Sequence, residues 1–151
     1  MAELKEGVDC VLVGEGSERA ALESLAGSLA VKVNFVGAVS DEQLRDYFAT
    51  SPIFVTSSHS EGFGLSLLQA MSAGCAVIAS DIGAHRELIE DGENGLIYGS
   101  PEDLTRKLHL LLHDELLVQR LAMAARKSAE AYSWSKIARD MRALYEELCR
   151  S

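Results

Sequence analysis

The run from Glu61 to Gly74 holds the residues whose types and spacing best suggest chemistry: Glu61-Gly62-Phe63-Gly64-Leu65-Ser66-Leu67-Leu68-Gln69-Ala70-Met71-Ser72-Ala73-Gly74. An apolar stretch, Ile53-Phe54-Val55-Thr56, precedes it and reads as a strand, so the glycines form a strand-to-helix turn. Such a turn leaves backbone N–H groups free at a helix start, where they and the helix dipole favour a phosphate. Glu61 before the turn and Gln69 inside the helix lie eight residues apart, and both accept hydrogen bonds from hydroxyls. A ligand with hydroxyls on either side of a diphosphate has the outline of a nucleotide sugar.

Other candidate groupings are weaker. Gly14-Glu15-Gly16 resembles the start of a dinucleotide fingerprint, but Arg19 stands where the third glycine would allow close helix–strand packing. His109 and His113 have metal-ligand spacing on a helix, yet no third ligand or HExxH pattern accompanies them, and a solvated helix face explains them better. His59 and His85 fall in loops at the rim of the proposed site, with His85 a candidate to approach the ligand. Phe63 reads equally well as a core anchor and as a ligand contact.

The elements that must position these residues alternate. Cys10–Val13 reads as a strand, and Ser17 is placed to cap a helix carrying Ala21, Leu22 and Leu25 on one face. Val31, Val33 and Phe35 alternate with polar residues in a second strand that ends at Gly37. Ser40 and Gln43 match a capping box before a helix with Leu44 and Phe48. After the Glu61–Gly74 unit, Ala76–Ala79 reads as a buried strand, a short helical turn falls near Glu87–Ile89, and Asp91–Gly95 forms a tight turn before a last strand, Leu96–Tyr98. Ser100-Pro101-Glu102-Asp103 starts a helix whose buried stripe is Leu104, Leu108, Leu111 and Leu112. Helices near Leu116–Tyr132 and from about Ser135 complete the chain, the latter with Ile137, Met141, Leu144, Tyr145 and Leu148 on one side and Trp134 expected to anchor it in the core.

Strands separated by helices predict an α/β fold: a Rossmann-like, mainly parallel sheet flanked by helices, with ligands bound beyond the carboxyl ends of the strands. The 151 residues suit one domain, 1–151, with helices 101–151 included. Lys plus Arg number 14 against 23 Asp plus Glu, a net charge of −9, which argues against nucleic acid or an anionic membrane surface as a partner. The three cysteines lack metal-ligand spacing; Cys10 and Cys75 read as buried, reduced thiols. No apolar run approaches the ~20 residues of a transmembrane helix, and the expected location is cytoplasmic.

Five segments in order carry a resemblance: Gly14-Glu15-Gly16-Ser17-Glu18-Arg19, Phe35-Val36-Gly37-Ala38-Val39, Glu61-Gly62-Phe63-Gly64-Leu65, Ala73–Ser80 and Glu90–Leu96. Together they resemble the carboxy-terminal, donor-binding domain of family-4 retaining glycosyltransferases, one half of the two-domain GT-B architecture, over nearly the whole chain. The resemblance implies that Glu61 is the catalytic-site acid contacting donor-sugar hydroxyls. It also implies that Gly62, Phe63, Gly64 and Leu65 hold the diphosphate or sugar, that Gln69 takes the ribose, and that Gly37 and Val39 line the base. Gly14 and Gly16 join them as candidate nucleotide-sugar-binding residues. Transfer is expected with retained configuration to an acceptor hydroxyl, without a metal ion or other cofactor.

Three departures qualify the expectation. Gln69 stands where the family has a glutamate, so donor binding should lose charge assistance and weaken. The family's opening strand, basic loop and helix have no counterpart before Cys10, which predicts that the strands holding Val11 and Phe54 either pair directly or have the gap filled in trans. The amino-terminal domain also has no counterpart, so the chain alone is expected to be inactive, and an amino-terminal glycosyltransferase domain or a second copy is an expected partner. Two other readings stay open: a non-catalytic nucleotide-sugar-binding module or relic, and an unrelated nucleotide-binding α/β protein.

Overall fold

The computed structural model describes residues 8–150, which fall into two compact units meeting at Tyr47/Phe48. In the first unit, β1 (Cys10–Val13) and β2 (Val33–Gly37) pair in parallel through helix α1 (Arg19–Ser28), with Cys10 opposite Val33 and Leu12 opposite Phe35. The register slips after Leu12, so that Val13 pairs with Gly37. Helix α2 (Asp41–Thr50) follows and carries the expected capping box: Ser40 Oγ accepts from Gln43 N at 3.2 Å, and Gln43 Oε1 accepts from Ser40 N at 3.0 Å.

Two expectations for this unit fail, the Ser17 cap and the burial of Cys10. Ser17 does not cap α1; its hydroxyl donates to Glu18, and the helix opens without a side-chain cap. Leu22 and Leu25 of α1 are exposed, as are Val11, Leu12 and Val13 of β1, and Cys10 is only half-buried. A two-stranded sheet is too narrow to bury both faces of its strands. Of the two arrangements expected for the strands carrying Val11 and Phe54, direct pairing is absent among the described residues: Val11 lies in the β1–β2 ladder and Phe54 in the β3–β4 ladder, and each strand pairs on one edge.

The second unit holds a three-stranded parallel sheet in the order β3 (Ile53–Thr56), β4 (Ala76–Ser80), β5 (Leu96–Tyr98). Helix α3 (Leu65–Ala73) joins β3 to β4, and α4 (Gly83–Leu88) with a turn at Asp91–Gly95 joins β4 to β5. Helices α5 (Pro101–His113) and α6 (Glu115–Ala129), a 3-10 turn (Glu130–Tyr132) and α7 (Trp134–Leu148) complete it. β4 is the centre: Ala76 through Ala79 are each fully buried, with alternate residues facing opposite ways. Val77 and Ala79 pack with Leu67, Ala70, Met71, Cys75, Leu88 and Ala125; Ala76 and Ile78 pack with Leu96, Tyr98, Leu111 and Leu121. Burial pushes the Cys75 thiol up to about 11, so it remains a neutral, packed group at physiological pH. The N-cap of α5 is as expected: Ser100 Oγ accepts from Asp103 N at 3.2 Å.

The expected core role of Trp134 is wrong. It is 83% exposed, and α7 contributes no buried residue, with Ile137, Met141, Leu144 and Leu148 all exposed. The 3-10 turn is this helix's main neighbour, so its amphipathic face lies uncovered among the described residues. Gly95 is tightly constrained, since a Cβ there would sit 2.7 Å from Val77 Cγ2. Gly95→Ala is therefore expected to destabilise the protein by about 2 kcal/mol through overpacking. In urea unfolding, the added Val77→Ala change should recover part of that loss; an unaltered midpoint in the single variant would contradict the packing.

Candidate nucleotide-sugar site

Glu61, Gly62, Phe63, Gly64 and Leu65 lie beyond the carboxyl end of β3, where parallel sheets receive ligands. Gly64 makes the turn possible. It is buried and adopts φ +84°, ψ +48°, a left-handed conformation that costs glycine nothing and a larger residue strain. Gly64 is also the N-cap of α3, and among the described residues no side chain caps this helix start. Its first amides are thus open to an acceptor, with the dipole behind them.

The side chains divide by role. Glu61 is exposed, and its Oε1 accepts from Ser58 Oγ at 2.7 Å. Phe63 is 39% exposed and meets Tyr132 edge-on, ring centroids 5.7 Å apart, while Tyr132 Oη donates to the Glu87 carbonyl at 3.1 Å. Phe63 is therefore an anchor for the turn with one face left open. Leu65 and Gln69 share the solvent face of α3, one turn apart, which leaves the Gln69 amide accessible.

The end of β4 lies beside the turn. Ser80 Oγ donates to the Ser58 carbonyl at 2.5 Å, and the ring of buried His85 reaches the Ser80 carbonyl at 2.8 Å. Asp81 and Arg86 form a two-pronged ion pair with contacts of 2.5 and 2.8 Å, and the hydrogen bonds from Arg86 hold the Asp81 carboxyl below its ordinary range. Ser58 and Ser80 were not foreseen. The available signal was a hydroxyl residue at the carboxyl end of each of two adjacent strands, too common a pattern to single out alone.

The other candidates belong to the first unit. Gly14, at φ +126°, donates its N–H to the Gly37 carbonyl at 2.8 Å, joining the ends of β1 and β2. Gly37 is buried at φ +75°, with Arg19 and Glu15 so close that a Cβ would lie 3.3 Å from each. Arg19 donates to the Phe35 carbonyl at 2.8 Å and pairs with Glu23, so this arginine braces the strand end. Gly16 is exposed, and Val39 is half-buried just past β2. The exposed His109 and His113 stack on one another with centroids 4.0 Å apart, and among the described residues no three His, Cys, Asp or Glu side chains converge as a metal site. No described helix is long and apolar enough to cross a membrane.

Parallel strands, helical connections and a glycine turn feeding an uncapped helix start define a Rossmann-like α/β protein with an anion-receptive loop. The family model described as glycosyl transferases, group 1, matches residues 1–128, and the chain belongs to that family, with the fold of the C-terminal-type part of GT-B glycosyltransferases. It is 32% identical over 149 residues to the phosphatidyl-myo-inositol mannosyltransferase of Mycobacterium leprae, covering 97% of this chain and 40% of that protein. Sucrose-phosphate synthase of Thermosynechococcus elongatus superposes with a TM-score of 0.83 at 28% identity, over 94% of this chain and 38% of the synthase. HepE of Anabaena, solved in complex with UDP-glucose, superposes with a TM-score of 0.83 at 23% identity over 99% of this chain and 43% of HepE, a likeness of fold. The chain thus spans about 40% of the length of the mannosyltransferase it matches.

Proposed function

We propose that this chain binds the nucleoside-diphosphate sugar donor of a retaining glycosyltransferase. The observation that carries the reading is the left-handed Gly64 turn into an uncapped α3, with the Glu61 carboxylate held beside it by Ser58. The open amides of the turn take the pyrophosphate, and Glu61 accepts hydrogen bonds from sugar hydroxyls near the reacting carbon. Gln69 takes a ribose hydroxyl as a neutral acceptor. The bond from the anomeric carbon to the diphosphate breaks as an acceptor oxygen bonds to the same face of that carbon. The acceptor proton leaves with the phosphate oxygen. Backbone amides neutralise the diphosphate in this scheme, and no metal ion is required.

The acceptor is supplied elsewhere: by an amino-terminal glycosyltransferase domain, or by a second copy of the chain. The isolated chain is then a binder that does not turn over, working in the cytoplasm where nucleotide sugars are made. Calorimetric titration with UDP, GDP and ADP and their glucose and mannose conjugates tests the reading. Saturable one-to-one binding of at least one conjugate, tighter than its parent diphosphate, is the expected result. Failure of every compound to saturate would overturn donor recognition.

A further inference from the structure

The hydrogen bonds behind Glu61 lead inward to a histidine that donor binding does not itself employ. His85 is 1% exposed, and its backbone is fixed in α4, where its N–H donates to the Ile82 carbonyl at 3.1 Å and its carbonyl accepts from Ile89 N at 2.8 Å. The ring spans two structures. On one edge, Nδ1 lies 2.8 Å from the Ser80 carbonyl and 3.3 Å from Ser80 Oγ. On the other, Cδ2 lies 3.4 Å from where a Gly64 Cβ would stand, so the imidazole fills the space against the turn.

A carbonyl oxygen only accepts, so Nδ1 carries the proton and donates. The direction of each later bond is set by its own acceptor, a carbonyl or a carboxylate. Ser80 Oγ donates to the Ser58 carbonyl at 2.5 Å, and Ser58 Oγ donates to Glu61 Oε1 at 2.7 Å, with Thr56 Oγ1 at 3.4 Å from the same Ser58 hydroxyl. The relay runs from a buried ring on α4, through the end of β4 and the loop after β3, to the exposed carboxylate.

We propose that His85 is a positioning residue for Glu61: its Nδ1–H fixes the Ser80 carbonyl, Ser80 Oγ holds the Ser58 carbonyl, and Ser58, so placed, aims the Glu61 carboxylate at the donor sugar through its own hydroxyl. An exposed glutamate otherwise samples several rotamers, and a sugar would have to select one on binding. This inference rests on the donor reading above, and it assigns His85 no contact with the ligand.

The test compares each nucleoside diphosphate with its own sugar conjugate by calorimetry on the full chain. His85→Leu and Ser58→Ala should each weaken sugar-conjugate binding about fivefold, the effect of roughly one neutral hydrogen bond, while leaving the parent diphosphate within about twofold. His85→Asn, whose amide N–H can replace the Nδ1 donor, should restore conjugate binding. The His85→Leu/Ser58→Ala pair should be no worse than the weaker single variant, because both break one relay. Equal losses for diphosphate and conjugate, or an Asn variant as weak as the Leu variant, would show a merely structural histidine and overturn the proposal. Should the Leu variant fail to fold, Ser58→Ala and His85→Asn decide the matter alone. Wild-type chain that binds no conjugate refutes the donor reading and this inference with it; undiminished conjugate binding in the variants refutes this inference only.

Discussion

Glu61→Ala is expected to weaken sugar-conjugate binding about 30-fold, since a hydrogen bond to a charged group contributes about 2 kcal/mol. The parent nucleoside diphosphate should bind as before, because the pyrophosphate is held by amides of the turn and not by this carboxylate. Glu61→Gln should fall between, keeping an acceptor but losing its charge. Glu61 is exposed and, among the described residues, its carboxylate bonds to Ser58 Oγ, so its removal should leave the fold unaffected. Calorimetry on the variants, with thermal unfolding as a control, reads both quantities. A conjugate that binds Glu61→Ala as tightly as wild type would remove Glu61 from the site.

The largest effect on stability is expected at Asn94. This buried side chain closes the connection between β4 and β5. Its Oδ1 accepts from Glu90 N at 2.8 Å, and its Nδ2 donates to the Leu88 carbonyl at 3.1 Å and to Ser128 Oγ at 2.9 Å on α6. Asn94→Ala leaves donor and acceptor groups unpaired away from water, which should cost about 3 kcal/mol. For a chain of this size that lowers the melting temperature by roughly 10 °C. Asn94→Asp should lose less, because a carboxylate still accepts from Glu90 N. A loss below about 1 kcal/mol in urea unfolding of Asn94→Ala would mean that water replaces these bonds at little cost.

Several elements were legible because their causes are local. The Ser40/Gln43 capping box, the Ser100-Pro101 helix start and the buried run Ala76–Ala79 each depend on residues within one turn or one strand. The Glu61–Leu65 turn was also legible, since glycine where a left-handed backbone is needed is a local requirement. Trp134 was misjudged for the opposite reason. Amphipathic spacing says that a helix has an apolar side, but not whether anything in the chain covers it.

The sequence by itself determined the order of strands and helices, the family, and the turn on which the donor reading stands, because backbone preference and side-chain period act over a few residues. Tertiary structure alone decided that five strands pair as two and three, and that Glu61 is tied through Ser58 and Ser80 to a buried His85. Ser58 and Ser80 are 22 residues apart, and no local rule connects them. They meet because β3 and β4 lie side by side in parallel, bringing both carboxyl ends to one edge.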